Sequence, residues 1–131
     1  MIEYHYINAA ILKETETISQ WLASVIQEEN KTVGALNFIL CDDEYLLEKN
    51  ITFLKHNTLT DVITFDYCDD TTTSGDIFIS TERVNENANL FKVKYLEELH
   101  RVMVHGLLHL LGYKDKSEQE AKLMREKENY Y

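Results

Sequence analysis

Residues 94–111 constrain this chain more than any other stretch. Leu96, Leu99, Val102, Met103, Val104, Leu107, Leu108, Leu110 and Leu111 fall on every side of a helix wound at about 3.6 residues per turn. A helix that is apolar all round has to be buried, so the rest of the chain must wrap it. Inside it stand two histidines, His105 and His109. Positions i and i+4 share a helix face with Cβ atoms about 5–6 Å apart, so both imidazoles reach one metal ion. Buried imidazoles need polar partners. A metal supplies one; two satisfied core histidines are the plainer alternative. His100 lies off that face and is read as a non-ligand.

Gly112 follows His109 by three. Glycine suits the left-handed residue that ends a helix, so a positive φ is expected there. The chain then turns back and Asp115 becomes the third ligand. Three protein ligands with a position left for water describe a catalytic site rather than a structural one. Such a ligand set lowers the pKa of bound water toward neutrality. The spacing is similar to that of the metzincin proteases, except that Gly106 stands where those enzymes carry their glutamate base. Spacing alone therefore supports a metal-dependent hydrolase.

The remaining elements are shorter. Ile2, Tyr4 and Tyr6 alternate with Glu3 and His5, which predicts a half-buried strand. Residues 14–30 read as an amphipathic helix with Ile18, Trp21, Leu22, Val25 and Ile26 as its stripe. A second strand runs from Val33 to Cys41. Asp42 or Asp43 then caps a helix through Phe53, with Tyr45, Leu46, Leu47 and Ile51 as apolar positions. Asp61–Tyr67 and Gly75–Ser80 read as strands joined by a polar loop, which predicts an antiparallel hairpin. Asp69 and Asp70 in that loop fit no EF-hand spacing. Thr81–Phe91 reads as a short helix. Ser117-Glu118-Gln119-Glu120 is a capping box that opens a last helix. Leu123 and Met124 are its anchors, and Tyr130 and Tyr131 are expected to fray. The predicted fold is α+β: a small mixed four-stranded sheet packed with about five helices, the histidine helix central, in a single domain over residues 1–131.

Charge bears on the partner. The net charge is −10, yet it is uneven. Residues 1–81 hold 4 basic against 14 acidic side chains, whereas residues 82–131 hold 9 of each. Lys92, Lys94, Arg101, Lys114, Lys116, Lys122 and Arg125 flank the histidine helix. Phosphate binding needs local positive potential, not a positive total; a solvated basic face is the alternative. Cys41 and Cys68 form no C-x-x-C and are read as free thiols. No apolar run reaches membrane-spanning length and no basic-apolar leader opens the sequence, so a soluble cytoplasmic protein is expected.

His105-Gly106-Leu107-Leu108-His109-Leu110-Leu111-Gly112-Tyr113-Lys114-Asp115 resembles the H-G-x-L-H-L-x-G-Y-D-H motif of the YbeY family of ribosomal RNA maturation endoribonucleases. Thr60-Asp61-Val62-Ile63-Thr64-Phe65 resembles that family's T-D-V-L-S-F strand, and Gly75-Asp76-Ile77-Phe78-Ile79-Ser80 its G-D-I-x-I-S strand. The resemblance implies a zinc-dependent endoribonuclease that cleaves single-stranded RNA in small-subunit ribosomal RNA maturation and ribosome quality control. It implies ribosomal RNA and the small subunit as partners, with a ribosome-assembly GTPase or ribosomal proteins beside them, and no membrane. His105, His109 and Asp115 take the metal positions. Asp115 replaces the family's third histidine, a tolerable exchange because two histidines and a carboxylate form a known zinc set, though it also admits iron or another divalent transition metal. Lys114 stands where the motif has aspartate. The arginine expected upstream of Thr60 falls at Leu54, so the adjacent Lys55 and His56 are the candidate catalytic, phosphate-facing residues, with plain surface loop residues as the alternative for both and the favoured one for Lys55. Leu59 and Asp66 replace the flanking prolines. Two readings compete: a non-catalytic ribosome-associated binding factor with a structural metal, and a zinc metalloprotease without its usual base.

Overall fold

A computed structural model describes residues 1–54 and 60–131, the backbone alone at residue 54. The elements are β1 (Ile2–Ile7), α1 (Thr15–Glu28), β2 (Thr32–Cys41), α2 (Asp43–Lys49), β3 (Val62–Asp66), β4 (Thr72–Ser80), α3 (Thr81–Phe91), α4 (Tyr95–Leu110) and α5 (Glu118–Tyr130). The sheet order is β1-β2-β4-β3. β1–β2 and β2–β4 pair in parallel, and β3–β4 antiparallel. Parallel neighbours need a crossover, and α1 supplies the one from β1 to β2. The architecture is the mixed α+β arrangement expected.

The inner face of the sheet presents Leu36, Phe38, Leu40, Ile77 and Ile79, all at most 1 % exposed. α1 covers it with Ile18, Leu22, Val25 and Ile26, and α4 with Leu99, Val102, Met103, Leu107 and Leu108. α4 comes closest at Gly106. A Cβ built there would lie 2.9 Å from Ile77 Cγ2, 3.4 Å from Val62 Cγ2 and 3.5 Å from Thr64 Cγ2. The missing side chain is what lets the helix lie this near β3 and β4. A smaller cluster of Cys41, Leu46 and Ile63 fills the other face beneath α2.

Four expectations are corrected. β4 begins at Thr72, not Gly75. Asp69 Oδ1 accepts from the amides of Thr71 and Thr72 at 2.9 and 2.7 Å, which closes the turn early and releases the β-branched Thr72 and Thr73 to pair with Thr32 and Val33. α2 does not run to Phe53. Asp42 caps it, accepting from Tyr45 N at 2.8 Å, and after Lys49 a π turn over Asn50–Leu54 widens the backbone. Ile51, expected among the apolar positions of that helix, is 47 % exposed. Leu123 is likewise exposed, leaving Met124 and Glu128 as the buried positions of α5. Finally, Tyr130 and Tyr131 are tied down. Their hydroxyls donate to Glu28 and Glu29, and the Tyr131 carbonyl accepts from Trp21 Nε1 at 3.4 Å.

Candidate metal centre

α4 places His105 and His109 on one face with their rings 4.6 Å apart between centroids. The helix then ends as its glycine predicts. Gly112 has φ +105°. Its amide donates to the His109 carbonyl at 3.1 Å, and the Tyr113 amide donates to the Leu108 carbonyl at 3.0 Å. This pair of bonds is the Schellman closure of a helix C-terminus. It reverses the chain so that Asp115 Oδ2 lies 3.4 Å from His105 Nε2 and 3.5 Å from His109 Nε2. The far side of the loop is fixed two residues later by the capping box. Glu120 N donates to Ser117 Oγ and Ser117 N to Glu120 Oε1, both at 3.1 Å. Asp115 is thus held between two helix ends.

The outward nitrogens of both rings are occupied. His105 Nδ1 lies 2.6 Å from Glu128 Oε2, and His109 Nδ1 3.1 Å from the Tyr113 carbonyl oxygen. Neither a carboxylate nor a carbonyl carries a hydrogen, so each Nδ1 is the donor and each Nε2 is the nitrogen left to take a proton or a metal. The two Nε2 atoms face one another at 3.0 Å beside the Asp115 carboxylate. Three acceptors converging without a hydrogen among them are reconciled only by a positive charge, a proton or a metal cation. The nitrogen and oxygen donors suit a borderline transition metal. The three groups all lie within 4.8 Å of one another, so the residues present fit one ion.

Glu128 is the main feature that spacing did not reveal. It comes from α5, and its carboxylate is almost fully buried. Burial pushes its pKa up, but the hydrogen bonds from His105 and Arg101 outweigh that and hold it below the usual carboxylate range. The available signal was helical phase: Glu128 follows Met124 by four and shares its buried stripe. His100 lies outside the cluster of His105, His109 and Asp115. It packs against Trp21, 5.8 Å between ring centroids. Lys55 and His56 lie outside the described residues. Lys114 and Lys116 are exposed on either side of Asp115 in the loop between α4 and α5. Cys41 and Cys68 are free thiols far from any pairing, and burial pushes the Cys41 thiol up to about 12.

Known proteins match this chain over nearly its full length. The family described as Endoribonuclease YbeY matches residues 3–131. A Flavobacterium psychrophilum protein named Endoribonuclease YbeY is 55 % identical over 130 residues, 98 % of this chain and 92 % of that one. The protein of the same name from Flavobacterium johnsoniae is 50 % identical over 129 residues, covering 98 % and 93 %. Among solved structures, the solution structure of a Thermotoga maritima protein superposes with a TM-score of 0.69 at 29 % identity, covering 98 % of this chain and 85 % of that one.

Proposed function

This chain belongs to the Endoribonuclease YbeY family, and on that premise we propose that it is a zinc-dependent endoribonuclease acting on small-subunit ribosomal RNA, with His105, His109 and Asp115 as its metal ligands. One observation carries the reading: two imidazole Nε2 atoms and a carboxylate oxygen converge on one point, with each ring fixed from behind at Nδ1. A divalent transition metal held by His105, His109 and Asp115 would supply a Lewis acid for a bound water and a phosphoryl oxygen.

The chain's own residues do the rest. Glu128 and the Tyr113 carbonyl engage Nδ1 of each imidazole, fix the ring planes and leave Nε2 turned toward the centre. Asp115, 41 % exposed at its side chain, leaves the solvent side of the centre open to substrate. Lys114 and Lys116 flank that opening and attract the phosphate backbone. We assign Lys55 and His56 to contact the scissile phosphate in place of the family arginine. A protease is disfavoured, because a base at position 106 would be driven into Ile77 and not toward the centre. Zinc is preferred because two histidines and a carboxylate are an established catalytic zinc set. Among the described residues no helix is long and apolar enough to cross a membrane. The reading places the protein in the cytoplasm on the small ribosomal subunit, in contact with ribosomal proteins or an assembly GTPase.

The deciding experiment is cleavage of small-subunit ribosomal RNA by purified protein, alongside elemental analysis. Wild-type protein carries about one metal equivalent and cleaves; chelation stops cleavage and zinc restores it. His109→Ala loses both metal and cleavage. A His109→Ala protein that keeps its metal places the ion elsewhere. Metal-loaded wild type that binds this RNA without cutting it is the binding factor instead.

A further inference from the structure

The histidine face is backed by an ion network of which the reading so far uses only Glu128. Arg101 holds Glu98 with two parallel bonds, Nε to Oε1 at 2.9 Å and Nη2 to Oε2 at 2.7 Å. Its third nitrogen, Nη1, donates to Glu128 Oε1 at 3.0 Å. The other Glu128 oxygen accepts from His105 Nδ1 at 2.6 Å. Both carboxylates are 2 % exposed at their side chains. Arg125 Nε approaches Glu128 Oε1 at 3.7 Å from solvent, with its own side chain 68 % exposed. It screens rather than fixes that carboxylate.

We propose that Arg101 is a positioning residue of the metal centre: it sets the Glu128 carboxylate, and through it the His105 ring, so that the centre is complete only when α5 is docked on α4. The inference rests on the reading of His105, His109 and Asp115 as ligands. Three observations support it. Arg101 and His105 are four apart on α4, so one helix face presents the clamp and the ligand together. All three guanidinium nitrogens are engaged, with Glu98 serving to aim the fork at Glu128. Lysine offers a point charge and has no such fork. Charge points the same way. Glu98 and Glu128 are two buried carboxylates that share the half-buried Arg101 guanidinium, so its one charge holds both in place, with Arg125 at the solvent edge of Glu128.

The test measures metal without RNA. Zinc affinity is read by competition against a chelator, and the cobalt-loaded protein is read by its visible absorption. Arg101→Lys and Glu128→Gln should each weaken zinc binding about tenfold to a hundredfold and change the cobalt spectrum, which reports ligand geometry. Combined, they should cost less than the product of the single effects, because both cut the same chain of contacts. Should Arg101→Lys fail to fold, Arg101→Met with Glu98→Met removes the buried ion pair as a unit and leaves the same readouts.

Variants that lose thermal stability while keeping wild-type zinc affinity and cobalt spectrum would make the network merely structural and overturn the proposal. Independent, fully multiplicative effects would do the same. A wild-type protein that binds neither metal refutes the ligand assignment itself, which is a distinguishable result.

Discussion

The Tyr113 hydroxyl donates to Glu29 Oε1 at 2.5 Å, across 84 positions of sequence. Tyr113 is also the residue whose carbonyl accepts from His109. The end of α1 is therefore coupled to the orientation of a candidate ligand. The same carboxylate takes Lys127 Nζ at 3.3 Å and the Tyr131 hydroxyl from α5. Each histidine is thus held from behind by a group that α5 helps to fix, His105 directly through Glu128 and His109 through Tyr113.

Glu29 gives a pH prediction. Burial pushes its carboxyl up, but hydrogen bonds from Tyr113, Tyr131 and Lys127 outweigh this and hold it below its ordinary value. A carboxyl depressed in the folded state contributes stability that is present above its unfolded pKa and lost as pH falls through the folded one. The urea midpoint should drop on acidification below about pH 4. Glu29→Gln should lower the neutral-pH midpoint and shrink that acid limb. The limb should not vanish, because Asp43 is also depressed: burial raises it, and Arg83 and Ser80 outweigh burial. An acid limb of wild-type size in Glu29→Gln would exclude Glu29 as a contributor.

Gly106→Ala sets two effects against each other. Alanine gains up to about 1 kcal/mol in helix propensity. Its Cβ meets Ile77 Cγ2 at 2.9 Å, and overpacking of this kind costs about 1–3 kcal/mol. The net should be destabilisation of up to about 2 kcal/mol in chemical denaturation. A more stable variant would show that α4 can lift from the sheet without loss. Gly106→Glu should be much worse and should create no protease.

Gly112→Ala isolates backbone strain. A Cβ at this position meets nothing within 4 Å, so no clash contributes. The cost is that of a positive φ in an L-residue, about 1–2 kcal/mol. Zinc affinity should fall with it, since the turn carries Asp115 back. Unchanged affinity would mean that Asp115 reaches the site by another path.

Lys114 and Lys116 should govern RNA binding and not metal binding. Lys114→Gln with Lys116→Gln should weaken binding of small-subunit ribosomal RNA, and should flatten the decline of wild-type affinity with added salt. With a handful of phosphate contacts, that decline should be about tenfold to a thousandfold between low and physiological salt. Wild-type affinity and salt slope in the double variant would reduce these lysines to a solvated face.

What was legible in the sequence was local. His105 and His109 are a matter of helix period, and Gly112 of one turn's backbone, so spacing alone places them. The sheet order was not legible, because β2 lies between β1 and β4 through contacts that no short window contains. The tyrosines at positions 130 and 131 were misread for the same reason: nothing near them announces Glu28 and Glu29, which wait at the end of α1. Glu128 was half legible, since its place on the stripe of Met124 marks it as buried but does not say which histidine it meets. The π turn after α2 had no signal in residue type; its sequence, Asn50 to Leu54, would continue a helix equally well.

All three candidate ligands fall within residues 105–115, while the groups that orient the histidines belong to the folded protein. The denatured chain therefore keeps the ligand atoms close together and retains some capacity to chelate. Stabilisation by a ligand follows its binding to the native state relative to the unfolded one. Adding zinc should raise the melting temperature by less than the native-state affinity alone implies, and at high zinc the gain should level off as the unfolded ensemble saturates too.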